Sequence, residues 1–211
     1  MYRNRLEAGK TLYEIIKERG LDKSLSFVFA VPRGGVEVAY PIAKGLGKPI
    51  IPILVHKVPS SINEEFAIGA ISVAGEMLLN EYAQGEKREY IDKIKKEMLL
   101  KLSERQDFFG VKFNFEDVKG KEVLIVDDGI ATGETIYLAV LSVKRYEPSR
   151  TVVAVPVSPL EGYERMSQLG EVICPIVDRY FYAVSEYYEE FGQLSDIEAR
   201  RYIEESLKFG E

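Results

Sequence analysis

The sequence has no tryptophan, a single cysteine and a single histidine. One thiol, Cys174, excludes an intrachain disulfide and fits a reducing compartment. Its neighbours Val172, Ile173 and Ile176 read as a buried strand, so packing is expected of it rather than nucleophilic chemistry. His56 has no second histidine with which to build a metal site. Basic residues are outnumbered, 28 Lys and Arg against 34 Asp and Glu, and the net charge is −6. With no run of Lys or Arg, that balance argues against nucleic acid as a partner. No apolar run approaches about 18 residues and no N-terminal signal pattern is present, so no membrane partner and a cytoplasmic setting are expected. Repeats and low-complexity tracts are absent. Nucleotide loops of the common kinds are missing too: there is no Gly-x-Gly-x-x-Gly and no Gly-Lys-[Ser/Thr] ending.

What is present centres on Val123-Leu124-Ile125-Val126-Asp127-Asp128-Gly129-Ile130-Ala131-Thr132-Gly133-Glu134-Thr135. The aliphatic start has the composition of a strand buried on both faces. Two carboxylates stand where that strand would end, and a Gly/Thr loop then leads into a helical stretch. A helix N-terminus offers free N–H groups and partial positive charge to an anion. Gly129 and Gly133 let the backbone come close to it, and the hydroxyls of Thr132 and Thr135 add donors. Caps alone would not explain two neighbouring acids, since one cap suffices and paired anions repel.

Aliphatic residues, two acids and a loop ending Thr-Gly-x-Thr resemble the PRPP-binding motif of the type I phosphoribosyltransferases. The resemblance implies transfer of 5-phosphoribosyl from Mg-PRPP to a nitrogen nucleophile, with a nucleobase as the expected acceptor and pyrophosphate as the leaving group. It implies that Gly129, Ile130, Ala131, Thr132, Gly133, Glu134 and Thr135 hold the 5′-phosphate. Asp127 and Asp128 would grip the ribose hydroxyls, directly or through Mg²⁺-bound water, and favour positive charge at C1. Mg²⁺ is the expected cofactor, since it keeps several waters and takes oxygen ligands.

Such a co-substrate needs a second phosphate site. Phe27-Val28-Phe29-Ala30-Val31 reads as a strand that runs into Pro32-Arg33-Gly34-Gly35, a second glycine turn ahead of a helix. In the family the pyrophosphate loop follows the first core strand, which assigns Arg33, Gly34 and Gly35 to that role, with Lys57 as a further cation. The family's loop can contain a non-proline cis peptide, expected here near Arg33-Gly34.

The rest alternates strand and helix, implying a doubly wound, mainly parallel α/β sheet with its crevice at the strands' carboxyl ends. Ile50 to Val55 is a second core strand, and Pro52 suggests an edge or a bulge. Thr151–Val157 and Val172–Val177 are read as single buried strands. Residues 1–211 are read as one domain, with 58–110 as a mobile loop and insertion and 178–211 as hood and C-terminal helix. The insertion is a hairpin (Ile68–Val73, Met77–Asn80) plus a long helix whose Tyr90, Ile94, Met98 and Leu102 form a packing stripe. It is expected to serve as a lid that excludes water or as a dimer contact, a homodimer being the expected assembly.

The aromatic run Asp178–Tyr188 is similar to the family's hood, which places Tyr180, Phe181 and Glu186 at the acceptor; tyrosines packed on the core are the competing reading. One departure matters. Hypoxanthine-guanine enzymes have an aspartate base at the position of Ala131, whereas adenine-type enzymes have alanine. The general base is therefore open, with Glu186, Glu64 and Glu65 as candidates. A PRPP-sensing regulator without chemistry is the alternative function, although this acidic chain offers neither a helix-turn-helix nor a basic RNA-binding face.

Overall fold

The computed structural model describes residues 1–64 and 66–210. Helix α1 (Arg5–Glu18) precedes β1 (Leu25–Ala30), α2 (Gly34–Leu46) and β2 (Ile50–Pro52). Strands β3 (Val55–Pro59), β4 (Ala67–Ser72) and β5 (Met77–Leu79) and the long helix α3 (Arg88–Phe109) form the insertion. The chain then makes β6 (Glu122–Val126), α4 (Glu134–Lys144), β7 (Arg150–Ala154), β8 (Val157–Pro159) and α5 (Leu160–Ser167). It ends with β9 (Glu171–Ile173), β10 (Ile176–Asp178) and α6 (Asp196–Ser206).

Five strands build a central sheet in the order β2-β1-β6-β7-β9, every neighbouring pair parallel. Alternation along each strand divides the core into two layers. Val28, Ala30, Leu124, Val126, Val152 and Ala154 face α1, α2, α3 and α6. Their alternate neighbours Phe29, Ile125 and Val153 face α4 and α5. This is why Val123 to Val126 can be aliphatic throughout: all four are fully buried in the middle strand. Removing each such side chain from water is worth about 1.5–3 kcal/mol.

The strand order reverses between β1 and β6. Chain direction turns towards β2 on one side and towards β6 and β7 on the other, leaving a crevice outside their carboxyl ends. The two glycine turns singled out in the sequence, after Ala30 and after Val126, therefore flank one crevice. Their bases are tied together, because Val31 N–H donates to the Val126 carbonyl at 3.0 Å.

Pro52 lies at the sheet's edge as expected, in β2. Three strands differ from the sequence reading. The Ile50–Val55 strand ends at Pro52, and Val55 opens β3 in a separate antiparallel sheet. Thr151–Val157 divides into β7 and β8, and Val172–Val177 divides into β9 and β10, the second members pairing in a separate parallel ribbon. Pro156 and Pro175 stand at the breaks, and proline has no N–H to continue a central ladder. The hairpin is present and gains β3 as a third antiparallel strand. Of the α3 stripe, Ile94, Met98 and Leu102 are buried and Tyr90 half-buried, so it is a packing face.

The N-terminus completes the hood. Tyr2 bridges Tyr188, with Tyr2 N–H on the Tyr187 carbonyl at 2.8 Å and Glu189 N–H on the Tyr2 carbonyl at 2.9 Å. Residues Asp178 to Tyr188 form turns and a short 3₁₀ segment, Val184–Tyr187, in place of a helix. Ser195 caps α6 in a reciprocal capping box with Glu198.

Candidate active site

Asp127 and Asp128 emerge from β6 directly against the first turn. A Cβ on Gly34 would stand 2.0 Å from Asp128 Oδ2, and one on Gly35 would stand 2.7 Å from the Val126 carbonyl. Neither position admits a side chain, so the two turns approach each other through glycine backbone. The cis peptide in the first turn joins Pro32 to Arg33, one bond before the expected Arg33–Gly34 position.

The two acids have different partners. Asp128 accepts from Arg5 Nε at 2.7 Å, and its carbonyl accepts from the Tyr188 hydroxyl at 2.7 Å. Arg5 is buried, donates from Nη1 to the Gly192 carbonyl at 2.8 Å, and lies 3.9 Å over the Phe191 ring. Glu37 Oε2 is 3.7 Å from the same Nη1. Asp127 makes no ion pair among the described residues; its Oδ1 accepts from the Asp128 amide at 2.9 Å. Desolvation, followed by the Asp128 charge, holds the Asp127 carboxyl well above the usual range, with the Asp128 amide and Arg5 opposing. Burial likewise raises the Tyr188 phenol, which stays a neutral donor to Asp128.

Two clefts flank the Arg5–Asp128 pair. One, of about 270 Å³, is lined by Asp127, Asp128, Gly129, Ala131, Thr132, Gly133, Thr135 and Ile136 with Val184 and Phe191 of the hood. Gly133 takes a left-handed φ of 76° immediately before α4, whose first amides have no carbonyl partners within the helix. Ile130 and Glu134 are not part of the lining. Ile130 is buried in the core, and the Glu134 side chain is exposed towards a separate hollow with Tyr137 and Arg165. Turning a carboxylate away keeps the anion cradle free of repulsion.

The other cleft, of about 490 Å³, is lined by Arg5, Pro32, Arg33, Gly34, Arg105, Gln193 and Leu194. Arg33 and Gly34 line it, while Gly35 is buried behind them. Lys57 is not brought there. It is exposed on β3 in a third hollow with His56, Glu64, Ile94, Glu97 and Lys101, and this hollow shares no lining residue with either cleft.

The acceptor assignments also shift. Tyr180 is 93% exposed, Glu186 is exposed, and Phe181 stacks on Tyr187 with centroids 5.5 Å apart. None of the three lines the cleft; Val184 and Phe191 do. Tyr187 is itself occupied, donating to Asp178 Oδ2 at 2.6 Å, and that bond pushes its phenol up to about 12. Of the other base candidates, Glu64 lies in the Lys57 hollow and Glu65 is outside the described residues.

A model of the phosphoribosyl transferase domain matches residues 3–173. The chain belongs to that family. Within it, this phosphoribosyl transferase domain is similar to TT1426 from Thermus thermophilus, with 34% identity and a TM-score of 0.77 over 97% of this chain and 98% of that one. Rv0571c of Mycobacterium tuberculosis, provisionally named a phosphoribosyl transferase, is 30% identical over 208 residues, 97% of this chain and 46% of that protein. The chain thus spans about half the length of the curated relatives it matches. A purine phosphoribosyltransferase from Pyrococcus horikoshii shares the fold at 17% identity, with a TM-score of 0.50 over 92% of this chain and 97% of that one.

Sequence reasoning reached both turns but missed Arg5, Tyr188, Phe191 and Arg105. Arg5 sits three residues after Tyr2 in an N-terminal stretch with no motif of its own. The packing of α1 on α2 and the bridge between Tyr2 and Tyr188 bring it to the site.

Proposed function

We propose that this chain transfers 5-phosphoribosyl from Mg-PRPP to a nitrogen of a nucleobase and releases pyrophosphate. The observation that carries the reading is the meeting of two anion-ready turns at one crevice, with twin carboxylates between them. PRPP has that outline: a 5′-phosphate at one end, a diphosphate on C1 at the other, and two hydroxyls between.

The amides from Gly129 to Thr135 and the Thr132 and Thr135 hydroxyls receive the 5′-phosphate. Arg33 and the Gly34 and Gly35 amides receive the diphosphate. Asp127 and Asp128 accept from the ribose hydroxyls, and their charge favours an oxocarbenium-like C1 more than the neutral ground state. Val184 and Phe191, whose ring lies under the Arg5 guanidinium, give the same cleft an apolar border against which a flat base can rest.

The residues fit a magnesium ion. Asp127 is a half-buried carboxylate lining the cleft with no ion pair, and no cluster of three or more ligating side chains closes around it among the described residues. That suits an ion bound through one or two carboxylates and substrate oxygens. When bound, Mg²⁺ would offset the charge of the diphosphate, with Asp127 as its holder because Asp128 is engaged by Arg5.

Pyrophosphate release from PRPP, measured with Mg²⁺ and a panel of purine and pyrimidine bases, tests the reading. Release that depends on one base is the expected result. Tight PRPP binding with no release for any base supports the sensing alternative. Failure to bind PRPP at all overturns both.

A further inference from the structure

The hollow beside the first turn collects three arginines from three elements: Arg5 from α1, Arg33 from the turn, and Arg105 from the last turns of α3. Arg5 is committed to Asp128 and Gly192. Arg33 and Arg105 share one carboxylate. Asp196, at the start of α6, accepts from Arg105 Nη2 at 2.9 Å and lies 4.0 Å from Arg33 Nε. Two guanidiniums on one carboxylate leave a positive charge uncompensated. Arg105 Nε is in addition enclosed, with no hydrogen-bond partner among the described residues. A buried donor without an acceptor is rare in a folded protein and calls for a partner. The Arg105 side chain lines a hollow that Gly34 also lines, at the start of α2, where the helix has no carbonyls for its first amides.

We propose that Arg105 is a direct ligand of the diphosphate group, and that Asp196 is a stand-in anion holding Arg105 and Arg33 in place until the diphosphate displaces it. The proposal rests on the PRPP reading above and adds to it a residue of the inserted helix, which no part of the sequence motif contains. Guanidinium forks match phosphate oxygens in pairs, and a diphosphate has more acceptors to offer two forks than one carboxylate has. Engagement of Arg105 ties α3, and so the insertion that carries the hairpin, to the Pro32–Gly35 turn whenever the diphosphate is bound.

The competing role for Arg105 is structural: pairing with Asp196 joins α3 to α6, and the guanidinium lies 5.7 Å over Phe109. The two roles predict opposite effects of Asp196→Asn. Calorimetric titration of wild type, Arg105→Gln and Asp196→Asn with Mg-pyrophosphate, and separately with ribose 5-phosphate, separates them. We expect Arg105→Gln to weaken pyrophosphate binding about tenfold and leave ribose 5-phosphate unchanged. Asp196→Asn should tighten pyrophosphate about threefold even while lowering the melting temperature. Pyrophosphate bound equally by wild type and Arg105→Gln overturns this proposal alone, as does weakening by Asp196→Asn. Wild type that binds neither ligand overturns the PRPP reading and this proposal with it. Should Arg105→Gln fail to fold, the direction of the Asp196→Asn effect decides by itself.

Discussion

Asp127 and Asp128 follow one another in the chain but differ in what surrounds them. Asp128 has a buried guanidinium and a phenol on its carbonyl, whereas Asp127 has only a neighbouring amide. Because burial and the Asp128 charge raise its pKa, Asp127 contributes stability while protonated, below the ordinary carboxylate value. That contribution is lost as pH rises through the raised value. At neutral pH, above the ordinary carboxylate value, the Asp127 carboxyl therefore destabilises the metal-free protein. Asp127→Asn should raise the melting temperature by about 2 °C while lowering kcat/KM for PRPP at least about 100-fold. Thermal melts beside steady-state assays check both halves, and unimpaired turnover would remove Asp127 from the chemistry. Arg5 reverses that balance. Arg5→Met strands the Asp128 carboxylate and should cost about 3 kcal/mol in urea unfolding. Arg5→Lys, which cannot serve Asp128 and the Gly192 carbonyl in one planar fork, should keep most of the stability and lose substrate affinity. The Asp pair was legible in the sequence because an acid pair after an aliphatic run has few structural explanations. Arg5 was not, since nothing local distinguishes a buried arginine from a solvated one. Cys174 lies half-buried in the break between β9 and β10 and not within a strand, yet it packs on the core as its apolar neighbours implied, and desolvation pushes the thiol up to about 12. The thiol is then held in its unreactive protonated form, so iodoacetamide should label the folded protein far more slowly than the denatured chain.

At the scale of elements, α6 and the glycine turns show which local rules sufficed. Ser195 and Glu198 form a reciprocal capping box at the start of α6, an arrangement set by their three-residue spacing. Ser195→Ala should cost about 1 kcal/mol of stability. Glu198 is held below its ordinary pKa by the Ser195 hydroxyl, then by the Ser195 amide. Its contribution is present above the ordinary value and fades as pH falls through the lowered one, so the penalty of Ser195→Ala should shrink in acid. Denaturant melts at pH 7 and pH 3 test that sign. Gly34 lies in a turn that backbone rules alone do not explain, since what forbids a side chain there is Asp128 of another element. Gly34→Ala should therefore weaken PRPP binding strongly, a result measurable by titration. The divided strands were illegible for a related reason. Val155 and Val157 have identical composition, and only the pairing partners, Ile173 for one side of Pro156 and Ile176 for the other, show where the sheet ends. The hood aromatics misled for want of three-dimensional information: eleven residues rich in tyrosine do not say which ring faces inwards, and Phe191, beyond that run, is the one beside the cleft.

For the whole molecule, strand order is the deciding property. A parallel sheet whose strand order reverses between β1 and β6 opens a crevice at that point of its carboxyl edge. The sequence located both glycine turns but could not place them side by side; the topology does. No helix among the described residues is long and apolar enough to cross a membrane. The central claim is that one sugar diphosphate bridges the two turns across the Arg5–Asp128 pair. A crystal structure with Mg-PRPP tests it most directly. The account predicts the 5′-phosphate on the amides of residues 129–135, the ribose hydroxyls at Asp127 and Asp128, and the diphosphate against Arg33, Gly34 and Arg105. PRPP seated instead in the hollow of Tyr137 and Arg165, or in that of Lys57, with both turns empty, would contradict it.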